Sequence, residues 1–417
     1  MKFFRTAQKP LRRVKFRIIL ASHTMSKVGS EFSLIAVSFA VITQGGTASD
    51  LGLVLMARTL PPLFFLLAGG VWADRLPRAR LMISADTASF ITQTILGFVL
   101  LIGYLNIPLL MILQAVLGSC GAFFRPAAAG LIPEVISSDE VQPANSLLSI
   151  VDNMSSLLGP VLAGILITMI DPAWLILIDA LTFLSSSLIL IPLWNVGVRS
   201  DKLSERSSFL NEAYEGVTYV MRTRWIRVTV LEALLFQSGF AIFFTLGPVL
   251  ENEYSNGSAI WGILVTAFGA GSLLGGILAL SIQPKIPILW MQMTLLATIP
   301  LLFVMALRAS APILAALTVL TGAGFSFGQT LWETYIQRST PPEKLGRVAA
   351  SAGLGASFLR PFGYLVAGVA ADTFGVTQTF IICGVVLTTC VIVALIRLLP
   401  IRDELKISTK FLKEENI

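Results

Sequence analysis

Glu31 lies in an apolar stretch, with Lys27 and His23 four and eight residues before it. On a helix the i, i+4, i+8 spacing puts all three on one face. A carboxylate, an ammonium and an imidazole aligned inside an apolar segment suit reversible proton binding. Burial favours the neutral acid, a nearby cation favours the carboxylate, and a change in that balance takes up or releases a proton. Arg58, in the next apolar stretch, is a second candidate cation for Glu31. The alternative is a fixed ion pair that only holds helices together. Arg125 and Asp152 form another candidate pair, and Asp86 and Asp74 lie near the same side, where a charge network is expected. His23 reads either as a proton relay or as a hydrogen-bonded packing residue. Arg360 stands mid-way along a late apolar segment beside Pro361, as a candidate contact for an anionic group on a ligand or for a neighbouring carbonyl. Asp179, Glu232 and Glu333 fall nearer segment ends, where interfacial water accounts for them.

The elements that carry these groups are long and apolar. A bilayer core needs roughly 20 apolar residues per helical span. Such stretches occur at 17–43, 51–73, 81–104, 108–131, 144–170 and 174–194, and again at 228–250, 259–280, 288–307, 312–336, 348–371 and 377–399. The reading is an all-α polytopic membrane protein of twelve transmembrane helices in two pseudo-symmetric six-helix bundles. A rise of 1.5 Å per residue puts Glu31 about 18 Å and Arg58 about 12 Å from the outer ends of their spans. Composition agrees: 55% hydrophobic and 13% charged residues, with a mean hydropathy of +0.81, exclude an ordinary soluble domain. Lysine and arginine gather in the N-terminal tail, in alternate loops and in the C-terminal tail, whereas the opposite side carries Arg308 alone. Because cytoplasmic loops hold the basic excess, both termini are expected in the cytoplasm.

Several function classes drop out. There is no phosphate-binding G-x-x-x-x-G-K-[ST] loop, one histidine rules out a two-histidine zinc motif, and Cys120, Cys383 and Cys390 lack paired spacing. An enzyme, a cofactor and a bound metal are therefore not expected. The pI near 9.3 reflects basic loops that meet anionic lipid head groups, not a nucleic-acid surface. The basic start, Lys2, Arg5, Lys9, Arg12, Arg13 and Lys15, is followed by an apolar segment too long for a signal peptide, so it is expected to stay as the first span.

One long polar stretch, 195–227, divides the chain into bundles at 1–194 and 228–417. Leu210, Tyr214, Val217 and Met221 within it predict an amphipathic helix along the membrane surface. A shift of 204 residues lays 132–164 over 336–368 without a gap, as internal repeats would. Paired repeats of this kind build alternating-access transporters.

Two motifs carry a resemblance. Gly70-Val71-Trp72-Ala73-Asp74-Arg75-Leu76-Pro77-Arg78-Ala79-Arg80 resembles the signature between spans two and three of the major facilitator superfamily, with Pro77 where a glycine is usual. The resemblance implies a cytoplasmic latch between the halves, with Gly70 at a close helix approach and Asp74, Arg75, Arg78 and Arg80 in polar contacts. Ser155-x-x-x-Gly159-Pro160-x-x-Ala163-Gly164 resembles the glycine–proline motif of the drug/proton antiporter branch, Ser155 and Ala163 replacing glycines. Phe124-Arg125-Pro126, Ile132-Pro133-Glu134, Ala144-Asn145, Gly346-Arg347 and Ala370-Ala371-Asp372 are similar to the bacterial macrolide and siderophore efflux group.

That likeness implies a monomeric, proton-coupled exporter of small hydrophobic or amphipathic molecules in the bacterial cytoplasmic membrane, with protons and lipids as its other partners. The alternatives are a dedicated exporter of one metabolite such as a siderophore, a lipid-like substrate carrier, or a transport-dead sensor or scaffold.

Overall fold

The computed structural model describes residues 9–75, 77–137, 140–196, 209–252, 257–282, 284–296 and 298–401. Among them there is no strand. Lipid supplies no hydrogen-bond partners, so a spanning backbone has to satisfy itself, and a helix does so within one segment. The first six helices are α1 (Val14–Thr43), α2 (Ala48–Arg75), α3 (Arg78–Leu101), α4 (Ile107–Val135), α5 (Val141–Ile167) and α6 (Pro172–Leu190). A short α7 (Phe209–Arg222) precedes α8 (Arg224–Glu251), α9 (Gly257–Ser281), α10 (Pro287–Leu296), α11 (Ile299–Ala306), α12 (Ala311–Ser339), α13 (Pro342–Ser357), α14 (Arg360–Phe374) and α15 (Val376–Leu398).

Among the described residues, eleven helical stretches are long and apolar enough to cross a membrane. The remaining expected span is α2, whose 28 residues run through Pro61 and Pro62. The chain thus has the all-α polytopic fold read from its sequence. Two expected spans are interrupted, α10 from α11 and α13 from α14. Pro300 and Pro361 lie just after these breaks, and proline lacks the amide that would continue the ladder. At the starts of α4 and α6, Asn106 and Asp171 accept from the amides of Leu109 and Ala173 at 2.9 and 2.8 Å, each beside a proline at the first helical turn. Gly45 and Gly103 close α1 and α3 with φ of +86° and +72°, a left-handed turn that glycine adopts without strain.

The chain forms two compact units. The first comprises Met1–Ser204, Ala241–Thr266 and Pro361–Val376. Within it α1 packs on α5 and α6, α2 on α4, and α3 on α4 and α6. Ile19, Ala79, Met82, Ala127, Leu131 and Leu190 make one of its cores. The second unit comprises Glu205–Phe240, Ala267–Arg360 and Thr377–Ile417; within it α12 packs on α10 and α13 on α7. The core is apolar, and so is much of the outer face. Ile91, Ile95, Phe98 and Ile102 make an exposed stripe along α3, while Asp86 and Gln93 of that helix are buried.

The amphipathic helix expected in 195–227 is α7. Val217 and Met221 are exposed, Val220 is buried, and the Lys344 ammonium lies 5.8 Å from the Tyr219 ring centre. The side chains of Leu210 and Tyr214 lie outside the described residues.

Candidate functional site

The first unit holds a ladder of polar groups where α1 meets α5. His23 Nε2 and Asp152 Oδ1 are 2.8 Å apart. One turn on, Lys27 Nζ donates to Glu31 Oε1 at 2.6 Å, and Ser156 Oγ donates to the same oxygen at 2.8 Å. A further turn along α5, Gly159 backs onto Glu31 so closely that a β-carbon there would lie 2.5 Å from the Glu31 Cβ. The one-face spacing of 23, 27 and 31 on α1 is therefore answered on α5 by 152, 156 and 159. Exposure falls along the ladder, from 45% for the Asp152 side chain to 13% for that of Glu31.

Behind the ladder lies a buried polar layer between α1, α3 and α6. Gln93 Nε2 donates to Ser33 Oγ at 2.6 Å and also to Asp179 Oδ2. Asp179 accepts from Thr182 Oγ1 at 3.3 Å. Ser186 donates to Asp86, and the Ser186 and Ser22 hydroxyls are 2.6 Å apart. Of the acids that act on Arg58, Asp179 is the strongest and Glu31 the next, and the Arg58 guanidinium donates to Gln114 Oε1 at 3.4 Å.

Several sequence expectations change here. Asp179 and Glu232 are not at a wet interface; both are buried, Asp179 completely. A carboxylate near the end of an apolar run still faces the interior when its side of the helix packs against neighbours. Asp152 pairs with His23 and not with Arg125, which is exposed, because α5 packs against α1. Asp86 accepts from the Ser186 hydroxyl inside the unit, and the Asp74 side chain expected beside it lies outside the described residues. Glu31 takes Lys27 as its direct partner, with Arg58 acting at longer range. Arg360 begins α14 at the break in its span and is half-buried. Glu333 is exposed and accepts from Gln329 at 2.7 Å.

Of the loop motif, Gly70, Asp74 and Arg75 fall in the last turns of α2, where side chains lie outside the described residues, as do those of Gly346 and Arg347. The motif's later members are held within the first unit. Arg78 donates to the Gly130 carbonyl and pairs with Glu134 at 2.8 Å. Arg80 lies 5.2 Å from the centre of the Trp194 ring and donates to Asn195 Oδ1 at 3.2 Å. Arg13 adds an ion pair with Glu140 at 3.2 Å.

The glycine–proline motif of α5 serves a second helix. Where Gly159 faces α1, Gly164 faces α9: a β-carbon on Gly164 would lie 2.4 Å from the Ser258 carbonyl oxygen, and one on Gly262 would lie 2.5 Å from that of Pro160. Small residues let the two backbones meet. A comparable approach joins α2 to α14, where Gly52 meets Tyr364, Gly368 meets Ala48, and Asp372 accepts from the Ser49 amide at 3.1 Å. Gly164→Leu is thus expected to lower the thermal unfolding temperature of the purified protein, because crowding a packed seam costs about 1–3 kcal/mol. Gly121→Leu, at a site with nothing within 4 Å, is expected to leave it unchanged; equal melting of the two variants would contradict the seam.

The groups that the sequence did not single out are Ser33, Gln93, Gln114, Ser156, Ser186 and Gln292. Their signal was an amide or hydroxyl inside an apolar span, weaker than a charge but costly to bury unpaired.

The model of the transmembrane secretion effector family matches residues 5–416. The chain belongs to that family. Members of the major facilitator type stand among its relatives. It is 24% identical to macrolide efflux protein A of Streptococcus pyogenes over 91% of this chain and 95% of that protein. It is 26% identical to the staphyloferrin A transporter of Staphylococcus aureus over 86% of this chain and 90% of that one. With the multidrug efflux pump Tap of Mycolicibacterium fortuitum the identity is 27%, over 94% and 97%. A variant of the nucleoside transporter NupG shares the fold of this secretion effector at a TM-score of 0.75 and 12% identity, over 92% of this chain and 99% of that one. The secretion effector is a multi-pass membrane transporter of the major facilitator type.

Proposed function

We propose that this secretion effector exports small hydrophobic or amphipathic molecules across the bacterial cytoplasmic membrane in exchange for protons. It works by alternating access between six-helix bundles at 1–194 and 228–417, with 195–227 and both termini in the cytoplasm. The observation that carries the reading is Glu31, held deep in a span by Lys27 and Ser156 on the face of α5 that presents Gly159. A carboxylate between a cation and a hydroxyl has two stable states. With the carboxylate paired to Lys27 the site is unloaded; with a proton on it, Lys27 is released. Cargo or movement of α5 against α1 shifts that balance. The relatives named as efflux pumps support the outward direction. A substrate panel in everted membrane vesicles tests the reading: export in exchange for protons predicts that substrates collapse a preset pH gradient, and a panel containing transported compounds that leave the gradient intact would defeat it.

A second reading is a dedicated exporter of one metabolite; the half-buried Arg58, which donates to Gln114, favours an anionic one. Arg58→Gln separates the two: it would abolish transport of an anionic cargo and spare neutral ones.

For the loop motif, Asp74 sits at a helix end remote from a mid-membrane cargo. Asp74→Asn is expected to slow turnover more than it weakens substrate binding. Normal turnover with a large loss of affinity would exclude a latch.

A further inference from the structure

The second unit contains a buried acid that the reading above does not use. Glu232 lies about 12 Å along α8 at 1.5 Å per residue, and both it and Gln292 of α10 are buried. Gln292 Nε2 donates to Glu232 Oε2 at 2.6 Å. The other oxygen of each group, Glu232 Oε1 and Gln292 Oε1, is buried with no hydrogen-bond partner among the described residues. Two bonded neighbours thus each keep an orphan acceptor, and a buried polar atom left unpaired costs on the order of 1–3 kcal/mol. Acceptors cannot satisfy one another. One proton on Glu232 Oε1 would make that atom a donor, and a second bond to Gln292 Oε1 would close an acid–amide ring with both orphans satisfied.

Among the described residues the surroundings hold no competing partner. On α12 the Trp332 indole N–H is directed at Thr229 Oγ1, at 3.2 Å, and the Tyr335 ring packs edge-on against Trp225. On α13, Gly355 closes against Val230. On α15 the titratable neighbour is the Cys390 thiol. Among the described residues no lysine or arginine pairs with Glu232, whereas Asp179 in the first unit has Arg58. An acid in an apolar bundle with no cation is costly as a carboxylate.

We propose that Glu232 and Gln292 form a proton-binding site in the second unit, distinct from Glu31. In the loaded state the pair is closed by two hydrogen bonds. On release the O–H bond breaks with its electrons left on Oε1, the proton passes to water, and the ring opens because two acceptors then face each other. Loading and release are therefore tied to how closely α8 approaches α10. The proposal stands whether or not Glu31 couples transport.

The test is infrared difference spectroscopy of the full-length protein in lipid nanodiscs at neutral pH, with and without deuterium exchange. Wild type is expected to show a deuterium-sensitive C=O band of a protonated, hydrogen-bonded carboxylic acid that Glu232→Gln loses and Glu31→Gln retains. Glu232→Gln should fold, since its amide can donate to Gln292 Oε1 in place of the acid. Gln292→Leu provides a second arm in which the same band persists but moves to higher frequency as its hydrogen bonds are lost. If Glu232→Gln removes only ionised-carboxylate bands, or Gln292→Leu leaves the acid band unmoved, the site does not hold a proton in this way.

Discussion

Glu31→Gln is expected to abolish uphill export while leaving the protein folded and able to bind cargo. The amide side chain keeps the size of the acid and an oxygen that can accept from Lys27 and Ser156, which meet Glu31 Oε1 at 2.6 and 2.8 Å. What it loses is the charge, and it can no longer take up or give away a proton. Lys27 is 27% exposed, so leaving it without an anion costs about 1 kcal/mol or less. Melting should change little. Transport should divide sharply: exchange of labelled for unlabelled substrate down its gradient persists, whereas accumulation driven by a pH gradient falls to the level of empty vesicles. Gly159 fits the same account, because the helix that senses the state of Glu31 has to lie against it, and a β-carbon at 159 would collide with Glu31 itself. If Glu31→Gln still drives export against a gradient with the normal pH dependence, Glu31 is a structural ion pair. The coupling role would then pass to Asp152, which shares the ladder with His23.

How much of this could be read from the chain depends on how far apart the interacting residues lie. The spans follow from apolar runs, and the Lys27–Glu31 contact follows from i, i+4 spacing on one helix, because both are local. The contacts between helices do not. Ser156 reaches Glu31 across 125 positions, Gln93 reaches Asp179 across 86, and Gln292 reaches Glu232 across 60. Each depends on the rotation of two helices, and hydropathy barely constrains rotation when a span is apolar on nearly every side. That is why position along the spans alone puts Asp179 and Glu232 at an interface and matches Asp152 to Arg125 instead of His23. The glycine motif shows the same division. Its composition predicted close packing, but only the structure shows Gly159 serving α1 and Gly164 serving α9. The breaks before Pro300 and Pro361 had a local cause in the sequence, yet proline alone does not identify them, since Pro126, Pro160 and Pro248 lie inside continuous helices.

Asp179→Ala is expected to be the most destabilising single change in the first unit, and Arg58→Met should recover much of the loss. Asp179 is completely buried, accepts from Gln93 and Thr182, and is the negative charge that acts most strongly on Arg58. Gly29 lies so close that a β-carbon there would be 2.4 Å from Asp179 Oδ1, so α1 packs directly on the carboxylate. Removing one partner of a fully buried charge pair costs about 3–5 kcal/mol; Arg58 is half-buried and acts on Asp179 through space, so the loss is expected at or below the lower end of that range. Asp179→Asn keeps the shape and an acceptor for Gln93, so its loss should be smaller. Removing both charges is a different matter: replacing a buried pair with apolar side chains is often close to neutral. The double variant Asp179→Ala with Arg58→Met should therefore unfold at a higher temperature than Asp179→Ala alone, with a coupling of about 0.5–3 kcal/mol between the sites. The measurement is thermal unfolding of the four proteins in one detergent or nanodisc. Strict additivity would mean that Arg58 does not depend on Asp179. In that case the Arg58 charge is balanced by Glu31, and Arg58→Met should instead show its coupling with Glu31→Gln.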